Sequence, residues 1–117
     1  MSTHISWLLQ VTIQPGKLND FRGVAHDLIE NSKVEPGTLD YEWHLTADQS
    51  ACHIFERYAD NDAVLKHIAS FAPYAPRFLE ACYPTRFDIY GDPSAAVKEA
   101  LADFRPNYYT DLGGFSR

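Results

Sequence analysis

Residues 38–59 constrain the fold more tightly than any other part of the chain. Residues 38–46 alternate, with Leu39, Tyr41, Trp43 and Leu45 on one face and Asp40, Glu42 and His44 on the other. After the polar link Ala47-Asp48-Gln49-Ser50, residues 51–59 return as a second strand, and so short a connection predicts a hairpin. Centring the loop on Asp48-Gln49 sets Asp40 opposite Arg57, His44 opposite His53, Trp43 opposite Ile54, Tyr41 opposite Glu56 and Leu39 opposite Tyr58. The first face then carries Leu39, Tyr41, Trp43, Leu45, Cys52, Ile54, Glu56 and Tyr58, with Glu56 its only carboxylate. A slip of one residue would invert one strand, so the apolar face is the one expected under helices.

The flanking segments supply those helices. Residues 5–14 form a strand with Trp7, Leu9, Val11 and Ile13 on one side, ended by Pro15-Gly16. Residues 17–32 read as a helix whose stripe is Leu18, Phe21, Ala25, Leu28 and Ile29. Glu35-Pro36-Gly37 breaks it and turns the chain into the hairpin. Asp60-Asn61-Asp62 is an N-cap cluster for a helix over 63–70 with Val64, His67, Ile68 and Phe71 on its stripe. A second short helix over 76–82 packs Phe78, Leu79 and Cys82, and a fourth strand spans 85–90. Asp92-Pro93 opens a last helix with Val97, Ala100, Leu101 and Phe104 inward.

The order strand, helix, strand, strand, helix, strand is the split arrangement of ferredoxin-like α+β folds: an antiparallel sheet with helices on one face. The expected division is a core domain over 1–91 and a helical extension with an aromatic tail over 92–117. That tail, with Tyr108, Tyr109, Leu112 and Phe115, is too apolar to hang free and packs on the same domain or a partner subunit. Leu8, Phe55 and Tyr90 leave apolar patches on the uncovered sheet face, which predicts a homodimer.

Charge narrows the partners. The 117 residues carry ten Lys and Arg against sixteen Asp and Glu, a net charge of -6, with no basic cluster for nucleic acid or an anionic membrane. No apolar run approaches the length of a membrane span, and no secretion signal opens the chain. Cys52 and Cys82 read as buried, reduced thiols in a cytoplasmic protein.

Two constellations carry chemistry. Glu56, Tyr58, His67, Tyr41 and Trp43 join a carboxylate and an imidazole to aromatic walls beneath a helix, a setting for a small-molecule pocket. Burial would raise the Glu56 pKa and lower that of His67, bringing both into range for proton exchange. A bland reading of the same residues is a carboxylate bonded to a tyrosine hydroxyl and a satisfied core histidine. His44 and His53 with Glu42 offer metal-ligand types, although half-exposed histidines on a polar face read more simply, and no metal site is assigned. Arg77 and Arg86 suit anions, or surface pairs with Glu80 and Asp88.

The run from Glu35-Pro36-Gly37 through Tyr41-Glu42, then Phe55-Glu56-Arg57-Tyr58-Ala59-Asp60 and the stretch 63–67 up to His67, resembles the antibiotic biosynthesis monooxygenase family over about residues 5–91. The family pattern of Pro-Gly turn, strand Tyr, Glu-x-aromatic and helix His falls on Pro36-Gly37, Tyr41, Glu56 with Tyr58, and His67. The resemblance implies a dimeric α+β barrel with its ligand cleft between sheet and helices. Members include cofactor-independent oxygenases of quinols and polycyclic phenols, haem degraders and an isomerase, so fold alone does not fix activity. Leu9, His67 and Arg77 stand where haem degraders carry Asn, Trp and His, which argues against haem. The expected activity is a cofactor-free monooxygenation of a small phenolic or quinol-type substrate. His67 would be the base, Tyr58 and Tyr41 donors to the substrate anion, Glu56 an orienting group, Trp43 a wall and Arg86 a charge stabiliser. The alternatives are a non-catalytic binding or stress protein and an isomerase using the same cleft.

Overall fold

In a computed structural model, which describes residues 2–117, the sheet is built around β1 (Ile5–Ile13). Every odd residue of β1 is buried and every even one half-exposed, so its alternation settles which side of the sheet becomes the core. β1 lies between β3 (Ala51–Tyr58) and β4 (Cys82–Tyr90), antiparallel to both. β2 (Thr38–Leu45) pairs with β3 on the outside, and β5 (Asn107–Tyr109) runs parallel to β4, giving the order β2-β3-β1-β4-β5. The sheet is therefore mixed, and residues 107–109 of the aromatic tail supply its fifth strand, whereas Leu112 and Phe115, expected to pack, are exposed on this chain.

Four helices lie against the core side: α1 (Leu18–Ser32), α2 (Asn61–Phe71), α3 (Ala75–Ala81) and α4 (Ala95–Leu101). α1 buries Phe21, Val24, Leu28 and Ser32, a stripe slightly rotated from the expected one. Asp60 caps α2, its side chain accepting from the Ala63 amide at 2.9 Å. Pro76 sits in the first turn of α3, which starts after a 3-10 turn over Ala72–Tyr74. Ser94 caps α4, which a second 3-10 turn over Ala102–Phe104 extends toward β5.

The hairpin register agrees with the expectation from Asp40 to Leu45, with Asp40 bonded to Arg57 at 2.5 Å. It fails at Leu39. A bulge between Thr38 and Asp40 sets Thr38 opposite Tyr58, and Leu39 is left 40% exposed. Leu45 at the far end of the strand is exposed too. Leu79, expected inside, faces solvent: α3 buries only Phe78 and Ala81. β4 begins at Cys82 rather than 85, and Pro84 is accommodated at the β1–β4 register shift.

Gly37 lets the α1–β2 turn approach α2. A β-carbon there would stand 2.5 Å from the Ala63 β-carbon. Gly37→Ala should therefore cost about 1–3 kcal/mol through overpacking, seen as a lower denaturation midpoint with an unchanged slope; an unchanged midpoint would show that the turn is free to move.

Candidate active site

Strand pairing assembles the floor of the site. Tyr41 on β2 and Trp7 on β1 both face Glu56 on β3, forming one row across three strands on the core side. The next row is Trp43, Ile54, Leu9 and Phe87. The helical spacing of Val64, His67 and Ile68 turns His67 down from α2 toward Glu56. Phe71, Phe78, Leu101 and Phe104 complete the walls of a half-open cavity of about 50 Å³. The lining is almost wholly apolar, with Glu56 and His67 its titratable groups besides Tyr41.

Glu56 and His67 are each only 5% exposed. Tyr58 donates its hydroxyl to Glu56 Oε1 at 2.5 Å, and His67 Nε2 lies 3.4 Å from the same oxygen. The other imidazole nitrogen, Nδ1, is 2.9 Å from Glu35 Oε1. Glu35 also accepts from Thr38 Oγ1 at 2.8 Å and, through its second oxygen, from Ser70 Oγ. A continuous chain runs Glu35–His67–Glu56–Tyr58.

Its charge states follow from these partners. Burial pushes the Glu56 carboxyl up, against the opposing pull of His67 and Tyr58. Burial also pushes Glu35 up, but hydrogen bonds from His67, Ser70 and Thr38 outweigh it and hold the carboxyl below its ordinary value. Burial pulls His67 down, yet the Glu35 hydrogen bond and the charges of Glu56 and Glu35 more than reverse it, so its pKa is raised. The sequence expectation of a lowered His67 pKa is thus overturned, because it left out Glu35. Burial and the nearby Glu56 raise Tyr41 and Tyr58, which remain protonated donors.

Of the expected residues, Glu56, His67, Tyr41 and Trp43 line the cavity. Tyr58 does not: it is fully buried behind Glu56, with its hydroxyl committed to that carboxylate. Arg86 lies on the opposite sheet face, bonded to Asp88 at 2.7 Å beside Asn107 and Tyr109, and is not brought to the cavity. Arg77 pairs with Asp27 rather than Glu80. His44 and His53 face each other, and His44 leans on Glu42 at 3.3 Å; among the described residues no three His, Cys, Asp or Glu side chains gather as a metal set. Burial raises the thiols of Cys52 and Cys82 to about 11 and about 12, which leaves both unreactive.

Sequence reasoning missed Glu35 and Trp7 as members of the site. Glu35 was visible only as part of a turn, 32 positions from its imidazole partner. Trp7 was placed in the core by alternation, but its contact with Glu56 depends on the β1–β3 register.

The raised His67 pKa is testable. Protonated His67 contributes stability that is fully present below about pH 6.5, the unfolded value, and that fades as pH rises through the higher folded value. In Glu35→Gln the imidazole resonances should titrate at lower pH, and that segment of the urea stability–pH curve should flatten. An unmoved titration would disprove the pairing.

A family model described as antibiotic biosynthesis monooxygenase matches residues 5–81. No curated protein matches the chain. Among solved structures, MupZ from Pseudomonas fluorescens superposes with a TM-score of 0.88 at 21% identity, covering 99% of this chain and 96% of that one. SnoaB, a cofactor-independent oxygenase from Streptomyces nogalater, gives 0.68 at 14% identity over 80% and 97%. Rv0793 from Mycobacterium tuberculosis gives 0.68 at 19% over 80% and 98%. The MupZ structure thus matches nearly the whole length, whereas the other two match about four-fifths of it. At these identities the likeness is one of fold, and the family assignment rests on the model match across most of the chain: this protein belongs to the antibiotic biosynthesis monooxygenase family.

Proposed function

We propose that this protein is a cofactor-independent monooxygenase of a small phenolic or quinol-type substrate, with Glu56 as the proton acceptor. The observation that supports this most directly is the carboxylate–imidazole chain that reaches into an apolar cavity. Both nitrogens of His67 face carboxylates, so the ring is better suited to hold a proton than to remove one. Oε1 of Glu56 is taken up by Tyr58 and His67, which leaves Oε2 to accept the phenolic proton.

In a dry cavity the phenolate so formed is electron-rich, and the substrate itself reduces oxygen. For a hydroquinone, dioxygen adds at a ring C–H carbon to give a hydroperoxide. Its O–O bond then breaks as that carbon's hydrogen leaves, yielding a carbonyl and water. Quinol plus O₂ becomes hydroxyquinone plus H₂O, with no external reductant. His67 returns protons through Glu56, Tyr41 and Trp43 frame the ring, and Tyr58 keeps Glu56 in place. The open face of the sheet carries half-buried Leu8 and Phe55 with Tyr90, and among the described residues no helix covers it. We read that face as the contact between two copies, and light scattering should give twice the 13.3 kDa chain mass; a monomer at micromolar concentration would refute it.

Oxygen-electrode assays over a panel of hydroquinones and phenols test the activity. One class should consume oxygen, and Glu56→Gln should lower kcat by about 10²–10⁴, the range for losing a general base. No oxygen uptake by the folded protein with any member would reject the oxygenase. The same Glu56–His67 pair also suits a proton-transfer isomerase, and product formation under nitrogen would favour that reading.

A further inference from the structure

The two tryptophans of the chain share one anomaly. The side-chain nitrogens of Trp7 and Trp43 are buried and complete no hydrogen bond, although Trp7 lies beside the Glu56 carboxylate and Trp43 beside the Tyr41 hydroxyl; both residues line the cavity, whereas Ser32, whose hydroxyl is the third such atom among the described residues, does not. Trp7 is 3% exposed and stands beside Glu56 in the strand row, close enough to favour its carboxylate without completing a bond. A buried N–H left without an acceptor carries its full desolvation cost, and native interiors rarely keep one without a reason. An indole ring in an otherwise apolar wall does not need its N–H for shape; phenylalanine fills such walls elsewhere in this cavity, at Phe71, Phe78, Phe87 and Phe104.

We propose that the indole N–H groups of Trp7 and Trp43 are the substrate's oxygen-binding donors, so that the ligand is an aromatic compound carrying acceptor oxygens, carbonyl or phenolate, rather than a plain hydrocarbon. This rests on the cavity being the substrate site. It adds to that reading the chemistry that orients the ligand. Trp7 and Trp43 stand on strands separated by β3 and in successive rows, so they address different edges of a bound ring. An oxygen held by Trp7 lies against Glu56, placing the ionising hydroxyl, or the carbonyl that shares its charge, at the proton acceptor. The donor pair stabilises negative charge on oxygen without an arginine in the cavity, consistent with the position of Arg86 on the far side of the sheet.

Because the chain has only two tryptophans, biosynthetic replacement by 3-benzothienylalanine exchanges both N–H groups for sulfur at nearly constant shape. The probes are 1-tetralone and tetralin, alike in size, with and without a carbonyl, titrated calorimetrically into both proteins. The affinity for the ketone relative to the hydrocarbon should fall about three- to tenfold on replacement, as one or two neutral hydrogen bonds are lost, while the melting temperature holds or rises. Trp7→Phe provides the same ratio at one site, and taking the ratio cancels any cavity the smaller ring leaves. An unchanged ratio, or a lower melting temperature in the benzothienyl protein, would overturn the inference by showing that the N–H groups serve the empty fold. Failure of both probes to bind the unmodified protein would overturn it along with the cavity as a ligand site. A lost ketone preference without oxygen uptake by any quinol would keep this inference and reject the oxygenase.

Discussion

The burial of two carboxylates around one imidazole is the constraint on which the site depends. Glu35 and Glu56 approach His67 from opposite sides, one from a loop and one from the sheet. Each isolated charge would be costly in so apolar a setting, and together they are tolerable because a proton can be shared along the chain. Tyr58 then bonds Oε1 of Glu56, and Thr38 and Ser70 bond the two oxygens of Glu35. The bland expectation, Glu56 bonded to a tyrosine hydroxyl and His67 a satisfied core histidine, is therefore correct as a description of their contacts. What sets them apart from ordinary core polar groups is that the pair also faces an empty, apolar space.

Polar demand in the cavity is unevenly met. Both oxygens of Glu35 and the Tyr58 hydroxyl have partners, whereas two indole donors a row apart complete no bond. Satisfied cores are the rule; one part of this interior is closed by its own hydrogen bonds and another part faces the cavity. Tyr58 belongs to the first part and Tyr41 to the second, although the two are neighbours of the same carboxylate.

Much of this was legible in the sequence because strand alternation leaves little freedom. The pattern of β1, the short Ala47–Ser50 link and the Asp40–Arg57 pair fix three strands and the side on which Glu56 lies. His67 followed from the helical period. Leu39 did not, since a bulge leaves no mark in hydrophobicity, and the fifth strand did not, since three exposed residues pairing in parallel have no periodic signal. Arg86 was misplaced relative to the cavity for a simpler reason: β4 alternates, and its neighbour Phe87, not Arg86, takes the inward position. Glu35 was hidden by distance along the chain. Its contact requires Gly37 to let the turn close on α2, which only coordinates reveal.

The position of β2 at the margin of the sheet has a consequence for how a molecule could reach the interior. β2 is bonded on one side only, its Leu39 bulge interrupts the ladder, and most of its residues touch solvent. Outer strands of this kind detach locally at a small fraction of the free energy of global unfolding. Tyr41 and Trp43 ride on that strand, while Glu56, Trp7 and Leu9 are anchored at the centre. One wall of the chamber thus rides on the marginal strand and the opposite wall on the sheet centre, so local opening at the margin would widen the chamber while the acidic centre stays in register.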